Sequence, residues 1–130
     1  MTDYSVLSIE QVLYLHEHII DLAGGVQGVR DFALMHSALE RPKATFAGED
    51  LYPTLLHKAA ALMHSLVTNH AFLDGNKRTA WQVTKRFLYI NGVELAYTQQ
   101  EVIEFCLSVD NTGWAVPQIE KWLQSHCSVL

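Results

Sequence analysis

The residues best suited to chemistry lie together in His70-Ala71-Phe72-Leu73-Asp74-Gly75-Asn76-Lys77-Arg78-Thr79-Ala80. A long apolar run precedes this stretch and a helix-like run follows it. A helix N-terminus leaves backbone N–H groups unpaired and carries partial positive charge, so Gly75, Asn76 and Lys77 can offer backbone donors to phosphate oxygens. Gly75 lets the backbone approach a ligand closely. Lys77 adds a full charge and Arg78 a bidentate fork, unless Arg78 pairs instead with an acidic residue such as Glu49 or Asp50. Asp74 is a candidate ligand for Mg²⁺, which takes a carboxylate together with phosphate oxygens and waters. The same Asp74 is also a strong candidate N-cap. His70 is of the one residue type here that exchanges protons near neutrality, which suits a general base; a structural histidine at a helix C-terminus is the plainer alternative.

The elements that must position these groups are helical. Ser8 and Gln11 form a capping box, and Ile9, Val12, Leu13, His16, Ile19, Ile20 and Ala23 keep helical spacing until Gly24-Gly25. His16 falls on the apolar stripe and reads as a partly buried structural residue; His18 lies off it. A second helix runs from Asp31 through Leu39 and ends near Pro42. Residues 43–52 lack a period and read as a loop. Pro53 suits the first position of a third helix extending to about Asn69, apolar on almost every side and therefore central. Its His57 and His64 share a face, but no third ligand follows at metal spacing. A fourth helix spans Asn76 to Asn91, with Gly92 as its stop. Val93 to Tyr97 is too short to assign. Thr98 and Glu101 cap a fifth helix broken at Asn111-Thr112-Gly113, and a sixth runs from Pro117 to about Ser125. The expected architecture is all-α: a single compact domain over residues 1–130, with about six helices and the reactive loop between the two central ones.

Bulk properties narrow the function. At 130 residues the chain is one domain, and 49% apolar with 18% charged residues describes an ordinary soluble globule. The net charge of −5 disfavours generic nucleic-acid binding. Four of the nine basic residues nonetheless fall within positions 77–86, a window without Asp or Glu, which suits a small anionic ligand. Lys85 and Arg86 read as solvated surface. Cys106 and Cys127 fit neither a metal spacing nor a disulfide framework, and Cys106 reads as core. Met1-Thr2-Asp3-Tyr4 has no leader character and no apolar run reaches membrane length, so a reducing cytoplasm is the expected location, with no membrane partner.

His70, Phe72, Asp74, Gly75, Asn76 and Arg78 together resemble the Fic/Doc superfamily signature, His-x-Phe-x-Asp/Glu-Gly/Ala-Asn-x-Arg, six typed positions within nine residues. With Lys77 beside Arg78, the stretch is most similar to the Doc (death-on-curing) branch, the toxins of toxin–antitoxin pairs. Gly24-Gly25 with Gly28-Val29-Arg30-Asp31, Ala38-Leu39-Glu40-Arg41-Pro42 and Leu51-Tyr52-Pro53 extend the likeness over roughly residues 5–95.

The resemblance implies His70 as the base acting on a protein Ser or Thr hydroxyl, Asp74 as the Mg²⁺ ligand, and Gly75, Asn76, Lys77 and Arg78 as the phosphate site for ATP. Phe72 would be an aromatic plug. Residues 43–52 would be the flap that aligns a target polypeptide; a plain connector is the alternative. The wider Fic pattern, which transfers a nucleoside monophosphate, usually has Gly at the position of Lys77 and a second Arg at that of Trp81. Departures at both positions point to the Doc reaction, transfer of the γ-phosphate, with a translation factor (elongation factor Tu by resemblance) as target and arrest of protein synthesis as outcome. Nucleotidyl transfer is the competing reaction, and a catalytically silent binding module the competing class. The inhibitory pattern Ser/Thr-x-x-x-Glu occurs only at Thr45 to Glu49, in the irregular segment, so restraint is expected from a cognate antitoxin.

Overall fold

The computed structural model describes residues 4–130; Met1-Thr2-Asp3, part of the stretch used to judge a leader, lie outside the described residues. Among the described residues six α-helices carry the fold: α1 Ile9–Ala23, α2 Phe32–Glu40, α3 Leu55–Asn69, α4 Asn76–Ile90, α5 Gln99–Asp110 and α6 Val116–His126. The all-α expectation holds. Two small antiparallel ribbons complete it, β1 Thr45–Phe46 with β2 Glu49–Asp50, and β3 Val93–Leu95 with β4 Cys127–Val129. Among the described residues no helix is long and apolar enough to cross a membrane.

Helix α3 is the centre because its residues leave no polar face to give to solvent. Ala59, Ala60, Ala61, Met63 and Val67 have no exposed surface, and α3 packs against α2, α4, α5 and α6. Three successive alanines let those neighbours approach closely and add no side-chain entropy cost. An aromatic cluster closes the other end of the core: Trp122 stacks on Phe105 at 3.9 Å, and Trp81 meets Tyr97, Phe105 and Trp122 edge-on. Trp81 is thus a core residue, 5% exposed. Cys106 is buried with it, and burial pushes its thiol up to about 11, as expected of an inert core cysteine.

The capping signals read from sequence are present. Ser8 and Gln11 exchange backbone and side-chain bonds at the start of α1, and Thr98 and Glu101 do the same for α5. The start of α3 differs from expectation. Thr54 is its N-cap, accepting from His57 N–H at 3.1 Å, so Pro53 precedes the helix rather than opening it. A hydroxyl that can bond an orphan amide wins over a ring that only fixes φ.

Segment 43–52, expected as a loop, contains the β1–β2 hairpin. Its turn residues Ala47 and Gly48 have φ of 53° and 82°, as a two-residue primed turn requires. Strands of two residues are too short for alternation to show in the sequence. The hairpin is tied to the core by Lys58, which is 4% exposed. Lys58 Nζ donates to the Tyr52 carbonyl at 2.5 Å, the Asp50 carboxylate at 3.2 Å and the Pro42 carbonyl at 3.4 Å. Arg41 makes a parallel tie, donating to Tyr52 Oη at 2.9 Å, His64 Nδ1 at 2.8 Å and Ser65 Oγ at 2.8 Å. Burial and the Arg41 charge hold His64 below the usual imidazole range, which keeps it an acceptor for Arg41. That partner explains His64 without a metal. The unassigned Val93–Tyr97 stretch supplies β3, which pairs with the chain's last strand over Val93↔Val129 to Leu95↔Cys127.

Candidate active site

Helix α3 ends at Asn69 and hands the chain to His70, whose φ of 49° and ψ of 50° lie in the left-handed region. Such a backbone costs a non-glycine residue about 1–2 kcal/mol and persists only where its surroundings impose it. Here Arg30 imposes it: its guanidinium donates to the carbonyls of His70 at 2.7 Å and Asn69 at 3.0 Å, serving two of the orphan acceptors at the helix end. Arg30 comes from the segment following α1, which also pairs with the reactive loop through Val29 and Phe72. The N–H groups of Arg30 and Asp31 donate to the Ala71 carbonyl, and Leu73 N–H donates to Gly28.

The loop itself is clamped from inside. Phe72 is 2% exposed and stacks on His16 at 3.9 Å, so the plug expected of it is present. His16, expected to be partly buried and merely structural, is fully buried and donates from Nε2 to the Asp74 carbonyl at 2.8 Å. Asn76 closes a ring of bonds with its side chain, accepting from Phe72 N–H and donating to the Phe72 carbonyl, both at 3.0 Å. The side chain of Asn76 is therefore committed to loop shape, which leaves its backbone N–H as its means of reaching a ligand.

Gly75, with φ of 76°, is the N-cap of α4 and supplies no side-chain acceptor. The first bond into the helix runs from Thr79 N–H to the Gly75 carbonyl at 2.9 Å. The N–H groups of Asn76, Lys77 and Arg78 thus have no helical acceptor and face outward with the positive end of the dipole. Asp74 does not cap α4. Its Oδ2 accepts from Val26 N–H at 2.8 Å, which holds the carboxylate beside the α4 N-terminus. Oδ1 has no partner among the described residues. One free carboxylate oxygen next to unpaired amides fits Mg²⁺ bound jointly with phosphate and water. It does not fit a closed protein cage, and among the described residues no trio of His, Cys, Asp or Glu could hold a metal.

A cleft of about 270 Å³ brings Asp74, Gly75, Asn76, Lys77 and Arg78 together, walled by Ile19, Ile20, Gly24 and Gly25. Arg78 is exposed and makes no ion pair among the described residues; the proposed acidic partner Asp50 belongs to Lys58. His70 does not line this cleft. It connects to it through a residue that the sequence reading missed, Asp110, the last residue of α5. Asp110 Oδ2 accepts from Lys77 Nζ at 3.1 Å, and Oδ1 lies 3.7 Å from His70 Nε2. Nothing local marks Asp110, because its partners are 33 and 40 positions away. Arg30 had a signal in Gly28-Val29-Arg30-Asp31, but no role could be attached to it.

A histidine held in a strained backbone, a carboxylate and an uncapped helix N-terminus lie on one clamped loop, an arrangement whose exposed backbone donors and cations are suited to anions. The Fic/DOC family profile matches residues 6–88, well over half of the chain, and the chain belongs to that family. It is 58% identical over 73 residues to the Toxin Doc of Mycolicibacterium smegmatis, a match covering 56% of each protein. It is 32% identical over 89 residues to the Protein kinase doc of Escherichia phage P1, covering 68% of this chain and 70% of that protein. The chain thus matches a little over half the length of the mycobacterial relative.

Proposed function

We propose that the protein is a Doc-like toxin that moves the γ-phosphate of ATP to a Ser or Thr hydroxyl of a protein target, a translation factor, with elongation factor Tu favoured by resemblance. The observation that carries this reading is the pairing of a complete His70-to-Arg78 loop with Trp81 turned into the aromatic core. The Fic pattern of nucleotidyl transfer usually has a second guanidinium fork at that position, and here a buried indole stands in its place. The names of the two relatives, a toxin and a protein kinase, support the same reading.

His70 takes the proton of the acceptor hydroxyl as the oxygen forms its bond to Pγ. The bond from Pγ to the oxygen bridging to Pβ breaks, ADP leaves, and His70 returns its proton to solvent. Arg78 and the N–H groups of Asn76 and Lys77 hold phosphate oxygens where charge is redistributed, which is most of what phosphoryl transfer asks of a protein. Mg²⁺ held at Asp74 would neutralise phosphate charge and align the transferring group.

The β1–β2 hairpin is proposed as the flap that orders the target chain. An antitoxin segment is proposed to restrain the enzyme from the groove of about 580 Å³ between α1, α4 and α5, which shares Lys77 and Arg78 with the phosphate cleft and exposes Leu22 and Ile103. The reaction is tested with His70→Ala. Transfer should fall at least 100-fold while ATP affinity stays within about twofold, since the ring lies outside the phosphate cleft. Undiminished transfer by that variant would remove His70 as the base.

A further inference from the structure

We propose that Asp110 is a positioning residue that couples occupancy of the phosphate cleft to the state of His70. The proposal rests on the phosphotransfer reading above. Asp110 ends α5, where the helix dipole opposes negative charge, so the position is electrostatically unfavourable for a carboxylate unless cations offset it. The offset comes from two groups of the site: Lys77 Nζ at 3.1 Å from one carboxylate oxygen and His70 Nε2 at 3.7 Å from the other. The carboxylate is 21% exposed, and the two partners 55% and 45%, so the acid is the fixed member and the bases are the mobile ones.

This arrangement makes Lys77 a shared cation. Without nucleotide its ammonium is held by Asp110. A phosphate seated on the α4 N-terminus carries more negative charge than one carboxylate, and the flexible lysine stem can swing to it. Asp110 then faces His70 alone. When His70 accepts the hydroxyl proton, the imidazolium forms beside a carboxylate that has just lost its other partner. Asp110 takes no proton and touches no substrate; it acts through His70. ATP binding and arming of the base are thereby linked.

The test uses the full chain with isotopically labelled histidine, following the His70 ring signals by NMR as ATP and Mg²⁺ are added. In the parent the signals should move on saturation. In Asp110→Asn, and in Lys77→Met from the other side of the link, the movement should fall by more than half. A response in Asp110→Asn equal to the parent's would overturn the proposal, since nucleotide proximity alone would then explain it. The kinetic signature is a crossed effect. Asp110→Asn should bind ATP about two- to fivefold more tightly, because Lys77 is released from its ion pair, while kcat falls about 10- to 100-fold. Weaker binding together with a lower melting temperature would mean a structural role and also overturn it. If the parent transfers no phosphate yet the Asp110-dependent response persists, the phosphotransfer reading fails and the coupling stands. If the parent transfers and the response does not depend on Asp110, the coupling alone fails.

Discussion

Among the described residues only Ala47 and His70 hold a positive φ without being glycine, and the reasons differ. Ala47 follows from a tight hairpin turn. His70 and the preceding Asn69 are held by Arg30 on their two carbonyls, which fixes the imidazole-bearing residue relative to α3 rather than leaving it on a free loop. Gly75 solves the neighbouring problem by composition. At φ of 76° a Cβ would be strained, and it would lie 2.9 Å from Ile20 Cδ1. Gly75→Ala should therefore cost about 1–2 kcal/mol, most of it from the backbone because the Ile20 tip can move aside. Denaturant unfolding checks this, and unchanged stability would mean that the α4 N-terminus adopts another conformation.

At the scale of elements, the site is assembled from pieces that are far apart in the chain: the end of α3, the start of α4, the segment after α1 and the end of α5. The hairpin belongs to a separate tie. Its anchor Lys58 lies twelve positions before His70 on α3, about 18 Å along the axis. Lys58→Met keeps the volume but leaves the Tyr52 and Pro42 carbonyls without their donor, for a loss of about 2–3 kcal/mol. Because the cleft proposed to hold phosphate is remote, ATP affinity should stay within about twofold while KM for the protein target rises several-fold. Steady-state kinetics with varied target would show it. A KM unaffected by the loosened hairpin would contradict the flap assignment.

Over the whole molecule, the helices were legible because their caps and apolar periods are local. Ser8-Gln11, Thr98-Glu101 and Gly92 each act within a few residues. The reactive loop was legible for the same reason, being contiguous. What the sequence hid is tertiary: Asp74 bonds to Val26 instead of capping α4, Arg78 makes no ion pair among the described residues while Asp50 goes to Lys58, and His16 and Asp110 reach the loop from α1 and α5. The β3–β4 pairing, made by segments more than 30 positions apart, was hidden likewise. The reaction proposed for this site turns on which phosphorus is attacked. The measurement that tests it most directly supplies the purified protein, Mg²⁺ and a bacterial lysate with ATP labelled at either the α- or the γ-phosphate. Label on protein is expected from the γ position only, abolished by His70→Ala. Label from the α position would contradict it and mean that the site works as a nucleotidyltransferase despite Lys77 and the buried Trp81.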